Sequence, residues 1–366
     1  MMSKIDFSCF VSAADFLTQL SADILSAQDR VWIQCMSFEG DEIGQKLTQL
    51  LIDSPAQSKR FLVDSYSKIV HNDTILVSPL AWFNISLLQE RYKTHRCFQL
   101  LQANHVALQF TNPLGFLGIK YPMRNHKKMV IIDDFVYIGG RNFCDHNFMW
   151  HDMMIKISFS DLTDFLVQDF LATWSGTNLS FNFKSGVIAG WSLNGLHSHH
   201  DYCNILDRLS LATRCIEVFS PYISGPFFRQ LCQYAKDNNI ELKLYIPESN
   251  NKPIFTGYLN YYQRFFSFTL CYVKGKMSHT KAIIIDDQAI FLGSTNFDLV
   301  SYYLEQELLF EFNDQMILQT VRSELLNELD WTASTMPTTS IVRQYTSYFL
   351  LQFLEKCLSC YVKLFC

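Results

Sequence analysis

The chain has 366 residues, which is long enough to bury the cores of two domains of ordinary size. Hydrophobic residues make up 49% of it and charged residues only 18%, a balance that argues against long disordered tracts. The net charge of −5 and a pI near 6.1 give no overall basic field, so a general nucleic-acid binder is disfavoured.

Short β-rich runs alternate with segments of helical period in both halves of the chain. In the first half, the predicted elements are a strand VWIQ at 31–34, a helix GQKLTQLLI at 44–52, a strand RFLVD at 60–64 and a strand MVIIDD at 129–134. In the second half, the corresponding elements are a strand IEVF at 216–219, a helix FFRQLCQYAKD at 227–237 and a strand LKLYI at 242–246. Strands that alternate with helices predict a layered α/β fold in each half.

The two halves repeat the same order of elements, and this predicts two similar α/β/α sandwiches related by pseudo-twofold symmetry. A break is expected near Ser175–Gly190, where Gly, Ser and Asn cluster and the periodicity lapses. We therefore predict an N-terminal half at 1–183, a C-terminal half at 184–338 and an apolar C-terminal helix at 339–366.

One ten-residue segment returns almost unchanged in the second half. NHKKMVIIDD, Asn125–Asp134, reappears 153 residues later as SHTKAIIIDD, Ser278–Asp287. A duplicated fold that merely keeps its hairpin explains the repeated apolar run. It does not explain why an exposed His-x-Lys should stand at the mouth of both hairpins.

The histidine and lysine of each copy lie two residues apart, so both side chains point to one face of an extended strand. These candidate catalytic residues are His126, Lys128, His279 and Lys281. Asp133 and Asp286 complete the two motifs but follow the apolar run, beyond easy reach of the histidines. We expect these aspartates to cap a turn or to pair with backbone.

Small and polar residues follow each hairpin, in GGRN at Gly139–Asn142 and GSTN at Gly293–Asn296. They allow close approach of a substrate and offer hydrogen bonds to an oxyanion. The candidate substrate-binding residues are Gly140, Asn142, Ser294 and Asn296. Further along, Asp152 and Glu307 are spaced to hydrogen-bond a histidine and to set its tautomer.

If both copies meet at one anion, the combined pocket holds two His, two Lys and two Asn. Two ammonium groups suit a phosphate diester and stabilise a pentacoordinate transition state without a metal or a cofactor. One His can attack phosphorus while the other protonates the leaving oxygen and then activates an alcohol or water. Another histidine group, His197, His199 and His200 in LHSHHD, is predicted to be a solvated loop rather than a metal site.

At these residues the chain resembles the phospholipase D superfamily, whose signature is H-x-K-x4-D followed by Gly-Gly or Gly-Ser and an Asn. The second copy fits fully; the first has five rather than six residues between Asp133 and Gly139. Within the superfamily the chain looks most like bacterial cardiolipin synthases without N-terminal membrane helices. That likeness is carried by FTNPLGFLGIKYPMRNHKK, WHDMMIKI and FSPYISGPFF.

The resemblance implies a phospholipase D fold and a phosphatidyltransferase, in which a phosphatidyl group moves from a phospholipid onto a histidine and then onto an alcohol. It implies His126 as the nucleophile and His279 as the acid and base, although sequence symmetry leaves the order open. Three alternatives remain: a hydrolytic phospholipase D that releases phosphatidic acid, a phosphodiesterase or nuclease of the same superfamily, and an inactive membrane scaffold. The acidic pI disfavours the nuclease, and complete His-Lys sets disfavour the scaffold.

The C-terminal segment Ser340–Cys366 is too apolar to be a loose end. It is either a helix packed on the body or a membrane-interface helix, with Cys357, Cys360 or Cys366 acylated. The chain shows no cleavable signal and no run of about eighteen uncharged apolar residues. We therefore expect a cytoplasmic protein bound peripherally to the inner membrane, with phospholipid as substrate, no nucleic-acid partner and an undetermined oligomeric state.

Two further residues each have two interpretations. Tyr222 in SPYIS either lines the mouth of the site or packs between the halves. Arg124, directly before the first motif, either contacts a lipid phosphate or makes a surface salt bridge.

Overall fold

The computed structural model describes residues 5–72, 74–75, 83–179, 181–327 and 329–365. The chain divides into two compact units, Met1–Phe181 and Asn182–Cys366. The division falls inside the segment at which a break was expected. Cys366, one of the cysteines considered for acylation, lies outside the described residues.

The first unit is built on a seven-stranded sheet with helices and one small hairpin. Its strands are β1 Asp6–Phe10, β2 Arg30–Cys35, β3 Ser58–Asp64, β4 Val70–His71, β5 Thr74–Ile75, β6 Ala107–Thr111, β7 Met129–Ile132, β8 Phe135–Gly139 and β9 Met154–Ser158. Its helices are α1 Ala13–Ser26, α2 Glu42–Asp53, α3 Ile85–Ala103, α4 Asp145–Met149 and α5 Ser160–Trp174. The strand order in the sheet is β1-β9-β8-β7-β2-β3-β6, and β4 pairs with β5 as a separate hairpin.

The second unit is built on a nine-stranded sheet. Its strands are β10 Phe183–Ser185, β11 Ile188–Asn194, β12 Cys215–Phe219, β13 Glu241–Pro247, β14 Thr269–Val273, β15 Ala282–Ile285, β16 Ala289–Gly293, β17 Gln306–Phe312 and β18 Trp331–Ser334. Its helices are α6 Ser198–Leu209, α7 Gly225–Asp237, α8 Ile254–Tyr262, α9 Leu299–Tyr303, α10 Gln315–Asn327 and α11 Ile341–Phe365. The strand order is β10-β11-β17-β16-β15-β12-β13-β14-β18.

Both sheets contain the same run of six strands. In the first unit β9-β8-β7-β2 pair antiparallel and β2-β3-β6 pair parallel. In the second, β17-β16-β15-β12 pair antiparallel and β12-β13-β14 pair parallel. The predicted α/β fold, repeated in the two halves, is therefore confirmed at the level of strand order and pairing.

The apolar runs of the repeated motif form central strands because every residue in them is buried. MVII is β7 and AIII is β15, and each lies between two neighbouring strands. The sequence of a strand that is covered on both faces is a continuous run of apolar residues, because neither face needs polar residues. Each motif therefore enters its sheet at a fixed, interior position.

Reciprocal caps fix the segment that follows the first motif. The Asp41 carboxylate accepts hydrogen bonds from the backbone N of Gly44 at 3.0 Å and of Asp145 at 2.5 Å. The Asp145 carboxylate accepts from the backbone N of Glu42 at 3.3 Å and of Ile43 at 2.9 Å. The first turns of α2 and α4 are thus held together by each other's capping carboxylates.

The segment LHSHHD, predicted to be a solvated loop, is helical, so the prediction of a loop is wrong, whereas His197 and His200 are exposed as expected. Helix α6 begins at Ser198, which is fully buried and donates a hydrogen bond to the Glu305 carbonyl at 3.4 Å. The polar start of the helix hid the apolar residues further along it, where Tyr202, Ile205 and Leu209 lie in the core. Their spacing of three and four residues places them on one helical face.

The C-terminal segment is a 25-residue helix, α11, that packs on the second unit. Tyr348 stacks on Tyr261 of α8 with ring centroids 4.0 Å apart, and Glu355 pairs with Arg229 of α7 at 2.6 Å. Of the two expected arrangements, the structure shows the packed helix. Among the described residues, no helix combines the length and the apolarity needed to cross a bilayer.

Candidate active site

A buried ion pair fixes the entry to the first motif. Asp64, at the end of β3, accepts hydrogen bonds from the Arg124 guanidinium at 2.7 Å and from the backbone N of Asn125 at 2.6 Å. Burial raises the pKa of Asp64 to about 6, and Arg124 is the strongest opposing influence. Arg124 is only 3% exposed, so the expected surface salt bridge is instead a buried one.

The three residues HKK alternate in direction just before β7. Lys127 is fully buried and pairs with the Asp169 carboxylate of α5 at 2.7 Å. Lys128 donates a hydrogen bond through Nζ to the backbone carbonyl of His126 at 2.7 Å. The ammonium group of Lys128 is therefore held against the histidine of its own motif.

The second motif has the same pairing in a closer form. The Lys281 ammonium lies 2.8 Å from Nδ1 of His279 and also donates to the His279 carbonyl. The ring of Tyr222 meets the His279 ring edge-on, with centroids 6.0 Å apart. Tyr222 donates to the side-chain oxygen of Asn251 at 2.7 Å, and the Lys252 ammonium lies 4.5 Å from its ring centroid. Tyr222 thus belongs to the surroundings of His279.

The prediction that the His-x-Lys residues are exposed at the mouths of their hairpins is wrong. The histidines retain only 5% and 4% exposure, for His126 and His279, and both lysines retain 1%. Charges in such surroundings are screened little by water, so they act on a nearby anion more strongly than surface charges would. The low exposure therefore suits the electrostatic role that was predicted for the lysines.

The two motif aspartates lie at the opposite end of their strands from the histidines. Asp133 accepts hydrogen bonds from the backbone N of residues 28, 29 and 30, each at 2.9 Å. Asp286 accepts from the backbone N of residues 213, 214 and 215, at 2.5 to 2.9 Å. Burial acts to raise the pKa of each carboxyl, but the backbone donors outweigh it and the net pKa is lowered. These contacts support the structural role that was expected of both aspartates, although they are part of the predicted catalytic motif.

Replacing Asp133 or Asp286 with Asn should lower stability by about 2 kcal/mol each and leave the turnover of the folded enzyme nearly unchanged. Asn tolerates the positive φ at both positions, 43° and 51°, so the change isolates the loss of the acceptor charge. Because the folded pKa is lowered, this stabilisation is present above the unfolded value of 3.8 and is lost as pH falls through the folded pKa. Urea unfolding measures the free energy of unfolding, and the difference in this quantity between variant and wild type should be smaller at pH 3 than at pH 7. A catalytic role would instead show as lost turnover at unchanged stability.

Glycines at equivalent positions of β8 and β16 are required by close strand contacts. A Cβ on Gly139 would lie 2.2 Å from the Met153 carbonyl, and a Cβ on Gly293 would lie 2.0 Å from the Leu308 carbonyl. Gly140 is constrained differently, because its Cβ would lie 2.2 Å from the Asp152 carboxylate. This contact places Asp152, which is 1% exposed, directly against the small-residue segment of the first motif.

Ser294 and Glu307 form the corresponding pair in the second unit. Ser294 donates its hydroxyl hydrogen to one Glu307 carboxylate oxygen, and Ser301 donates to the other at 2.9 Å. The Ser294 hydroxyl also accepts from the backbone N of Leu308 at 3.0 Å. Glu307 is fully buried. Ser294 is therefore already committed to protein contacts, which weakens its predicted role in binding substrate.

The two asparagines differ in their contacts. Asn142 accepts from the backbone N of Ser37 at 3.1 Å and donates to Asn147 at 3.2 Å. Asn296 is 6% exposed, and its side-chain oxygen has no hydrogen-bond partner within the part of the chain that the structure describes. A buried polar atom without a partner is costly unless a ligand or water satisfies it. Asn296 is thus the stronger candidate for contact with a substrate.

Glu39, Cys144 and His146 of the first unit place possible metal-ligating atoms within 4.8 Å of one another. Burial raises the pKa of Glu39 to about 10 and the pKa of the Cys144 thiol well above its usual range. A metal bound here would have to displace the protons that burial favours on both groups. We assign no metal to this cluster.

Sequence reasoning missed Asp64, Asp169 and Ser301. Asp64 and Asp169 hold the residues on either side of His126, over chain separations of 61 and 42 residues. The only sequence signal for Asp64 is its position at the end of an apolar strand, where side chains meet the carboxyl edge of the sheet. Nothing in the local sequence marks Asp169, which lies within the helical pattern of α5.

Comparisons with known proteins find sequence similarity to cardiolipin synthases. The family model described as "Cardiolipin synthase, PLD-like domain" matches residues 205–330. The minor cardiolipin synthase ClsB of Bacillus subtilis is 26% identical, over 63% of this chain and 65% of that protein. A cardiolipin synthase of Staphylococcus aureus is 22% identical, over 88% of this chain and 67% of that protein. The chain thus spans about two thirds of the length of these relatives.

Solved structures show the same fold at low sequence identity. The phosphatidylserine synthase of Haemophilus influenzae superposes with a TM-score of 0.71 at 15% identity, covering 98% of this chain and 94% of that one. The polyphosphate kinase of Porphyromonas gingivalis gives a TM-score of 0.60 at 11% identity, covering 96% of this chain and 56% of that one.

The repeated strand order, the two buried His-Lys pairs and these matches support membership of the phospholipase D superfamily. The predictions of this family and of its fold are confirmed. Within the superfamily the chain is similar in sequence to cardiolipin synthases.

Proposed function

We propose that the protein is a phosphatidyltransferase that acts on phospholipid phosphodiester bonds, in the manner of a cardiolipin synthase. The observation that carries this proposal is the completeness of the two motifs. Each unit holds a buried histidine with the lysine of its own motif hydrogen-bonded to it. A single pair could serve a structural purpose, but two complete pairs supply a nucleophile and a separate proton donor.

The reaction has two steps. In the first, a ring nitrogen of His126 attacks phosphorus, an N–P bond forms, and the P–O bond to the departing headgroup alcohol breaks as His279 protonates that oxygen. In the second, His279 removes the proton of the incoming alcohol, the new P–O bond forms, and the N–P bond breaks to regenerate His126. Because the Lys281 ammonium lies 2.8 Å from Nδ1 of His279, we propose that Nε2 carries out the proton transfers.

The lysines and the polar residues act on the charge of the phosphate. The ammonium groups of Lys128 and Lys281 stabilise the additional negative charge of the pentacoordinate state. The side chain of Asn296, whose oxygen lacks a partner among the described residues, contacts the substrate. Asp152 and Glu307 hold the small-residue segments in place and orient the histidines, which makes them positioning residues.

Apolar side chains beside the first motif support a lipid substrate. Phe116 is 81% exposed and Leu117 is 85% exposed, although both precede His126 by no more than ten residues. The loop that carries them is ordered by hydrogen bonds from the backbone N of Lys120 to the Leu114 carbonyl at 2.8 Å and from the Arg124 guanidinium to the Lys120 carbonyl at 2.6 Å. An ordered loop with an apolar tip and the exposed Lys120 beside it suits the surface of an anionic bilayer. We include peripheral binding to the cytoplasmic face of the membrane in the proposal.

The test is product analysis on mixed vesicles. The purified protein should convert vesicles that contain deuterated phosphatidylglycerol into doubly labelled cardiolipin and free glycerol, as measured by mass spectrometry. Accumulation of phosphatidic acid instead would show that water is the acceptor and would replace transfer by hydrolysis. Cleavage of single-stranded DNA without any lipid product would contradict the proposal in favour of a nuclease. If the protein turns over neither phospholipid nor DNA, the inactive membrane scaffold is the alternative that remains.

A further inference from the structure

The outward face of α11 is uncharged along its whole length. We call this face the outer stripe; its residues are Val342, Thr346, Phe349, Phe353, Cys357, Cys360 and Leu364. They follow one another at intervals of three or four residues, so they lie in one line along the helix. All seven are exposed, with Val342 at 76%, Phe349 and Phe353 at 63% each, and Leu364 at 81%.

The opposite face of the helix is fixed to the second unit, so the outer stripe cannot turn inward. Ser347 and Leu351 are buried, and Tyr348 stacks on Tyr261. The Arg229 guanidinium forms two hydrogen bonds to the Glu355 carboxylate, both at 2.6 Å. These contacts hold the helix in one rotational orientation, and the apolar stripe stays outside.

The exposed charged side chains of α11 are all positive. Glu355 is the only acidic residue of the helix, and Arg229 neutralises it on the packed side. The other charged residues, Arg343, Lys356 and Lys363, are all cationic and exposed. Lys356 and Lys363 lie seven residues apart, which places them along one edge of the outer stripe.

We propose that the outer stripe of α11 lies in the interface of an anionic lipid bilayer, with the helix parallel to the membrane plane. The chemistry of the face selects this occupant. An apolar line edged by lysines, with no unpaired acid, is complementary to acyl chains below and anionic headgroups beside it. A second copy of the chain would bring the same positive charges to the same face. The inference rests on the proposed function, because a lipid substrate gives the protein a reason to bind a bilayer.

The test compares variants in vesicle co-sedimentation, with vesicles of phosphatidylcholine alone or with added phosphatidylglycerol. The wild-type protein should bind the anionic vesicles. F349S/F353S should bind them at least about tenfold more weakly. K356Q/K363Q should lose part of the binding to anionic vesicles and become less sensitive to salt. The control L211S/M316S removes two equally exposed apolar side chains from other parts of the second unit, 61% and 54% exposed, and should bind as wild type.

The outcomes separate this inference from the proposed function. Turnover of a short-chain phosphatidylglycerol below its micelle concentration should be unchanged in F349S/F353S, because this substrate needs no bilayer. Unchanged vesicle binding by F349S/F353S would overturn the inference, even if transfer activity is found. A wild-type dimer in lipid-free solution that F349S/F353S dissociates would also overturn it, in favour of a second copy as the occupant. If the wild-type protein binds vesicles normally but forms no product from vesicle or short-chain phosphatidylglycerol, the proposed function is rejected. The inference that the outer stripe binds a bilayer would still hold.

Discussion

Replacing His126 with Asn should reduce phosphatidyl transfer by about four orders of magnitude or more, and replacing His279 with Asn should reduce it by about two to four. The first change removes the atom that is proposed to bond to phosphorus. The second removes the group that donates and accepts the proton, and general acid–base catalysis typically contributes about 10²- to 10⁴-fold. Radiolabelled phosphatidylglycerol turnover on vesicles measures both effects.

The two roles can be separated with a substrate that carries p-nitrophenol in place of the headgroup. H279N should release one equivalent of p-nitrophenol per enzyme and then stop, because the phosphoenzyme forms but the acceptor alcohol is not activated. H126N should release none. The labelled H279N protein should carry an acid-labile, base-stable phosphate, as expected of an N–P bond, and peptide mapping should place it on His126.

A control variant and two folding measurements test whether the loss of transfer is caused by loss of folding. H105N changes an exposed histidine in the same unit and should retain wild-type transfer. Circular dichroism and the melting temperature should be the same for all three variants. A burst from H126N with none from H279N would reverse the two roles, whereas a burst from neither would remove the phosphohistidine step from the mechanism.

The repeat in the sequence predicted an α/β fold in each half because burial imposes a readable pattern. The runs MVII and AIII are continuous in apolar residues since β7 and β15 are covered on both faces. The structural role expected of Asp133 and Asp286 followed from the same pattern. A carboxylate placed after a four-residue buried strand is too far from its start to reach the histidine.

The supporting contacts of the site could not be read from the sequence, because they join distant segments. The carboxylate of Asp64 fixes the residue before His126, but the choice of Arg124 as its partner depends on how β3 and β7 lie in the sheet. The burial of His126 and His279 was missed for a similar reason. Their neighbours in sequence are polar, and only the folded chain covers them.

Replacing Lys128 or Lys281 with Met should each lower kcat by about two to three orders of magnitude, with a much smaller change in KM. Both ammonium groups are 1% exposed and are hydrogen-bonded to the histidine of their own motif, so their charge is poorly screened by water. The phosphate diester gains negative charge as the pentacoordinate state forms, and the loss of a fixed cation is therefore felt more in that state than in substrate binding. Steady-state kinetics on vesicles, with lipid varied, separate kcat from KM.

Lys127 provides the contrast, because it is a buried lysine of the same segment with a different partner. Its ammonium is neutralised by the Asp169 carboxylate at 2.7 Å, so K127M removes the cation of a buried ion pair and should cost about 3 to 5 kcal/mol of stability. K127M should thus lower the melting temperature, while the molecules that remain folded keep most of their turnover. K128M and K281M should show the opposite pattern, with turnover lost at a melting temperature close to that of the wild type. Equal losses of stability in all three variants would mean that the motif lysines hold the fold rather than the phosphate.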